Sequence, residues 1–228
     1  MNSILADIVH NSGAGRRAHL AMIGFLLVLM NAIALSAQDT STENLIVVTL
    51  DGFRWQELFK GGDPKLMRKA PDNALGKTHP FISGTESSKR SSLMPFMWSV
   101  IGSQGQLYGN RSHGNHVNCS NPHLFSYPGY SEMFTGHVDR NVKSNAKQMN
   151  KNSNVLEYIH QTQGFQDQVA VFSTWDVMPF ILRTSKTGIM SNHSSDPEIT
   201  RKSDDSTTFY SAFHYLQSKR PRLLYLSL

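Results

Sequence analysis

The chain contains a single cysteine, Cys119, among 228 residues. An intrachain disulfide is therefore excluded, and so is a zinc site built on several thiolates. Stability must come from a packed core or from metal held by other side chains. Charge is also sparse, at 17% of residues with a net +5, and the lysines and arginines are scattered rather than clustered. Such a distribution makes a solvated surface and speaks against a nucleic-acid face. No G-x-S-x-G elbow surrounds Ser126 or Ser131, so an α/β-hydrolase triad finds no support. There is no H-E-x-x-H and no internal repeat. What is present is apolar content: 39% hydrophobic residues suffice for a core, in one domain of ordinary size or part of a larger one.

The N-terminus has its own character. Arg16 and Arg17 precede "AHLAMIGFLLVLMNAIALSAQ", a basic region, an apolar run and a small-residue exit at Ser36 and Ala37. Residues 1–37 read as a signal peptide and 38–44 as a polar lead-in. Residues 45–228 read as the catalytic domain. An uncleaved anchor is the competing reading, because the run is close to the lower limit of about 18 residues for a span. Asn31 interrupts it, and "LSAQDT" resembles a cleavage site, so the expectation is an exported protein, periplasmic or secreted, without a stable membrane anchor after cleavage. Three N-x-S segments, at Asn110, Asn118 and Asn192, are attributed to chance in a serine-rich chain.

Beyond the lead-in, "LIVVTLDGFRW" is a short β-branched run ending in Asp51-Gly52. Apolar on both faces, it reads as a buried parallel strand. Residues 60–90 read as a long loop. "SSLMPFMWSVIGSQG" predicts a helix with Pro95 in its first turn, and "GQLYGN" a following strand. "NSNVLEYIHQTQG" predicts a helix capped by Ser153 or Asn154. "QVAVFSTWD" predicts a strand ending at Asp176. "DDSTTFYSAFHYLQSKRP" predicts a helix burying Phe209, Ala212, Phe213 and Leu216, with acids at its start and bases at its end. "RLLYLSL" predicts a third strand of interior type. Strands alternating with helices imply an α/β fold with a largely parallel central sheet between helical layers. In such sheets ligands gather beyond the carboxyl ends of the strands, where Asp51 and Asp176 fall.

"SYPGYSEMFTG" carries the chemistry. Pro128 suits a helix's first turn and Gly136 its end, which puts Ser126 at the positive N-terminal end, favourable for an anion. Ser131 falls inside the helix, where its hydroxyl is expected to return to the backbone. The plain alternative is that Ser126 only caps the helix. A serine hydroxyl needs a base or a metal to become nucleophilic, and Asp51 offers an oxygen ligand for a shared cation. His113, His116, His123 and His137 surround the region, without helical spacing, and are read as solvent or substrate contacts. Asp51 has its own plain reading as a turn residue before Gly52.

Together "VVTLDGFRW" and "SYPGYSEMFTG" resemble the alkaline phosphatase superfamily, in particular its nucleotide pyrophosphatase/phosphodiesterase-like and phosphoglyceromutase-like members. The resemblance covers residues 45–228, the N-terminal half of such a domain. It implies Asp51 as a metal ligand, Ser126 as nucleophile and metal ligand, and two divalent cations, zinc by preference. It also implies a downstream asparagine holding a phosphoryl oxygen: Asn145, with Asn150 the weaker choice. Asp176 is left to structure. The implied activity is hydrolysis of small phosphate esters, of phosphatase or phosphodiesterase type, with phosphoglycerate-mutase-type transfer further down. A sulfatase is disfavoured because Tyr130 stands where its arginine should be. The family's remaining ligands, an Asp with a nearby His, an Asp-His pair and a last His, are not found. The fold is accordingly expected to be incomplete at its C-terminus, and the chain to be a truncated form with little activity of its own. A pseudoenzyme serving as a binding or structural module is the alternative.

Overall fold

The computed structural model describes residues 42–67, 79–193 and 204–228. The signal peptide expected at 1–37 lies outside them. Among the described residues no helix is long and apolar enough to cross a membrane.

The chain order is β1 (Leu45–Thr49), α1 (Trp55–Lys60), α2 (Glu86–Leu93), α3 (Ser126–Thr135), α4 (Val155–Gln161), β2 (Val169–Ser173), α5 (Met178–Leu182), β3 (Met190–Ser191), α6 (Asp205–Lys219) and β4 (Leu223–Ser227). The four strands form one all-parallel sheet in the order β1-β4-β2-β3. β4 is central, pairing Leu223 with Leu45 on one side and with Val169 on the other. It is buried along its whole length, as is β2, which accounts for their uninterrupted apolar sequences.

Alternation along the strands divides the core in two. Val169, Val171, Leu223 and Tyr225 face α3, α4 and α5 through Tyr127, Phe134, Leu156, Ile181 and Leu182. Ala170, Phe172, Leu224 and Leu226 face α6 through Ala212, Tyr215 and Leu216. Asp204 caps α6 by accepting from the Thr207 amide, and Asn154 caps α4 through the Glu157 amide.

Four sequence expectations are corrected. β1 is a parallel strand but not a buried one: Ile46 is 51% and Val48 53% exposed. It is the outermost described strand on its side, and α6 packs chiefly on β2 and β4. The apolar stripe of α6 is rotated for the same reason. Thr208 and Ala212 are buried, whereas Phe209 and Phe213 stack on each other outside the core, ring centres 6.1 Å apart. "GQLYGN" forms no strand, since Gly109 takes a φ of 91°, outside the extended range. The loop drawn over 60–90 contains the start of α2, whose cap Thr85 accepts from the Ser88 amide. The helix expected around Pro95 is present and includes a π-helical turn at Met97–Ile101.

Candidate active site

Asp51 leaves the carboxyl end of β1, held by its own N–H to the Leu228 carbonyl at 2.8 Å. Gly52 next to it has φ 73°, a conformation glycine adopts without strain. A side chain there would meet open space, so Gly52 serves the turn and makes no close approach. Beneath the turn, Thr49 Oγ1 and the Tyr225 hydroxyl are 2.9 Å apart. Burial pushes the Tyr225 phenol up to about 12, which keeps it neutral in that contact.

α3 brings Ser126 to the same edge. Its core stripe is Tyr127, Ser131 and Phe134, at i, i+4 and i+7, with Pro128 also buried. Ser126 is the first helical residue, after Phe125, and does not cap. Its hydroxyl instead donates to Asp51 Oδ1 at 3.2 Å, across 75 positions of sequence. The plain reading of Ser126 as a helix cap is thereby set aside.

Asn145 arrives from the loop after α3. Its Oδ1 accepts from the Tyr127 N–H at 3.0 Å. Only the oxygen of a side-chain amide can meet an N–H, so this bond also fixes the direction of the Nδ2 donors. The Tyr127 hydroxyl donates to the Gln148 carbonyl at 2.6 Å, so one residue holds the Asn145–Gln148 segment at two points. Burial raises that phenol to about 12 as well. Asn150, the weaker sequence choice, is 3% exposed, and its Nδ2 donates to Ser131 Oγ at 2.9 Å. It is a core-bracing amide. Ser131 therefore answers a side chain rather than the backbone, a second change from expectation.

The first turn of α3 offers less to an anion than its position implied. The Tyr127 N–H is taken by Asn145, Pro128 has none, and the Gly129 N–H reaches the Phe125 carbonyl at 3.4 Å. The helix dipole remains, while the amide donors are largely spent. Asp176 stands apart from the site, in an exposed ion pair with Lys147. Among the described residues no group of three His, Cys, Asp or Glu side chains is arranged to hold a metal ion. His113, His116, His123 and His137 accordingly form no such cluster. Asp51 and Ser126 are two hard oxygen donors in reach of one cation, which fits the chemistry of a shared ligand pair but does not complete a zinc set.

Ser126 opens onto a cleft of about 580 Å³ that sequence reasoning missed. One wall is the outer stripe of α3, Gly129, Glu132, Met133 and Gly136, whose i, i+3, i+4, i+7 spacing was the available signal. The other wall is the 117–119 segment with Cys119. Glu132 ties the segment following that wall to the helix: its carboxylate accepts from the amides of Ser120 (2.6 Å) and Asn121 (3.0 Å) and from Asn121 Nδ2 (2.7 Å). These bonds favour the carboxylate and lower its pKa to about 2. The depressed folded-state value means the tie is fully present above the ordinary glutamate value near 4.3 and fades as pH falls towards about 2. The protection of the Ser120 and Asn121 amides relative to their intrinsic exchange rates should therefore fall across that window and stay high in Glu132-independent parts of α3. A flat profile would mean that the carboxylate does not hold the segment.

Cys119 is exposed, yet partial burial and, second, the Glu132 charge push its thiol up, leaving it protonated at neutral pH. A methyl group at Gly129 would lie 3.7 Å from Cys119 Sγ, ordinary contact. Gly129→Ala should thus stabilise the fold by about 0.5–1 kcal/mol through helix propensity, visible as a higher Tm. A lower Tm would show that the site tolerates no side chain.

No family model, curated protein or solved structure matches the chain.

Proposed function

We propose that this chain is the serine-bearing part of an exported, metal-dependent phosphate-ester hydrolase, of phosphatase or phosphodiesterase type, with the three-layer architecture of the alkaline phosphatase superfamily. The observation that carries the reading is the 3.2 Å bond from Ser126 Oγ to Asp51 Oδ1, joining two residues singled out separately in the sequence. Asn145 supports it by accepting from the Tyr127 N–H beside Ser126, which leaves its amide donors free for a phosphoryl oxygen.

Ser126 Oγ attacks phosphorus, forming an Oγ–P bond as the bond to the leaving alkoxide breaks. Asp51 accepts the hydrogen bond of the hydroxyl and orients it, and the hydroxyl proton passes through solvent to the departing alkoxide. Asn145 stabilises charge on the equatorial oxygens. A divalent cation, when bound by Asp51 and Ser126, supplies the Lewis acidity that a carboxylate lacks towards an alcohol. Water then releases the phosphoryl group from Ser126.

The test is a single-turnover trap. The chain is incubated with zinc and bis(4-nitrophenyl) phosphate, and its peptides are weighed. A phosphoryl adduct on Ser126 is expected; adducts spread over other residues would overturn the assignment. One observation favours a second reading, a non-catalytic binding module: the described residues group no third protein ligand with Asp51. Zinc analysis separates the two, because a module has no need of a tightly held ion.

A further inference from the structure

The cleft beside Ser126 has a chemical character of its own. Leu50, Val117, Tyr130 and Met133 line it, and three of them are conspicuously open: Leu50 is 42%, Met133 49% and Val117 67% exposed. Apolar side chains displayed together around a functional serine mark a binding surface rather than a core. The charged side chains among its lining residues are both acidic, Asp51 and Glu132, and no lysine, arginine or histidine is among them. Glu132 is committed to Ser120 and Asn121. Its volume, about 580 Å³, is that of a small-molecule site.

We infer that this cleft holds the leaving group of the ester, and that the leaving group is an uncharged apolar alcohol, aromatic or alkyl, rather than a nucleotide or sugar phosphate. The inference rests on the phosphate-ester reading above. A leaving group carrying its own phosphate would meet two carboxylates and no cation. An aromatic or alkyl group would instead cover apolar surface that is otherwise wet. The 117–119 segment separates this cleft from a second one that also reaches Ser126 and is lined by Arg111 and His123. The two sides of the serine therefore differ in charge, which fixes the direction in which an ester lies.

Cys119, the only cysteine, lines this cleft and the Arg111 cleft alike, and reports on occupancy of either without any turnover. The rate at which a thiol reagent modifies it is measured at mildly alkaline pH, alone and with 1-naphthol or adenosine monophosphate. 1-Naphthol at ten times its Kd should slow modification about tenfold by mass action, whereas any slowing by the nucleotide should come from the Arg111 side and survive Met133→Gln. The double variant Val117→Gln, Met133→Gln should lose the protection while keeping the unliganded rate; both side chains are exposed, so the fold tolerates the change. Nucleotide protection that Met133→Gln removes, or no protection by 1-naphthol, would overturn the inference. Protection without any phosphoryl adduct on Ser126 would leave the cleft as an apolar alcohol site and remove the phosphoryl-transfer reading alone.

Discussion

On the proposed reading, once the metal site is complete Ser126→Ala should abolish phosphoryl transfer, by at least about 10³-fold, while metal content stays nearly intact. The expectation follows from the way the site is divided. On the proposed reading Ser126 would provide the atom that bonds phosphorus, and among the described residues no other hydroxyl is hydrogen-bonded to Asp51. On the same reading Asp51 would provide the negative charge that holds a cation, and alanine at 126 leaves that charge in place. Asp51→Asn should show the complementary pattern: zinc affinity falls first and turnover falls with it. Both variants change exposed or half-buried side chains at the sheet edge, so Tm should move little. Unchanged single-turnover chemistry in Ser126→Ala would take the serine out of the mechanism. Equal loss of metal in both variants would mean that Ser126 is chiefly a ligand.

The largest effect on stability is expected at Arg183. Its side chain is 5% exposed, and its partner Glu157 is 10% exposed. Nε lies 3.3 Å from Glu157 Oε2, an ion pair without good hydrogen-bond alignment, and Nη2 reaches Oε1 at 3.5 Å. Nη1 donates to the Lys151 carbonyl at 2.7 Å. One guanidinium therefore joins α4, the residue that ends α5 and the loop behind Asn145. Arg183→Ala strands the buried carboxylate and should cost about 3–5 kcal/mol. For a domain of this size that is a fall in Tm of about 6–20 °C. Replacing both members, Arg183→Met with Glu157→Leu, should recover much of the loss, because no charge is left unpaired. A single-variant fall below about 2 °C would place the pair with ordinary surface ion pairs.

Much of the scaffold was legible. "QVAVFSTWD" and "RLLYLSL" could only be strands buried on both faces, and the acid-to-base gradient of α6 marked its ends. β1 carried the same composition and was misjudged, because sequence reports what a face could bury, not whether a neighbour covers it. Phe209 and Phe213 failed similarly: their spacing satisfies a helical stripe, but the sheet face opposite is already filled by Ala212, Tyr215 and Leu216. β3, only two residues long, has no periodicity to read.

The site divides along the same line. By itself the sequence determined which chemical groups exist: a carboxylate after a strand, a hydroxyl at a helix start, an amide beyond it, and one thiol. Those are local properties, set by residue type and by turn and capping preferences over a few positions. Only the tertiary structure decided which of them meet. Asp51 and Ser126 touch because a parallel sheet delivers every strand end, and the helix packed on it, to one edge. Asn145 meets the first turn of α3 through the Tyr127 N–H, while Asn150 is spent on Ser131. The apolar cleft exists because Glu132 pulls a distant loop over α3, a contact between positions 11 and 12 residues apart with no pattern in composition to announce it.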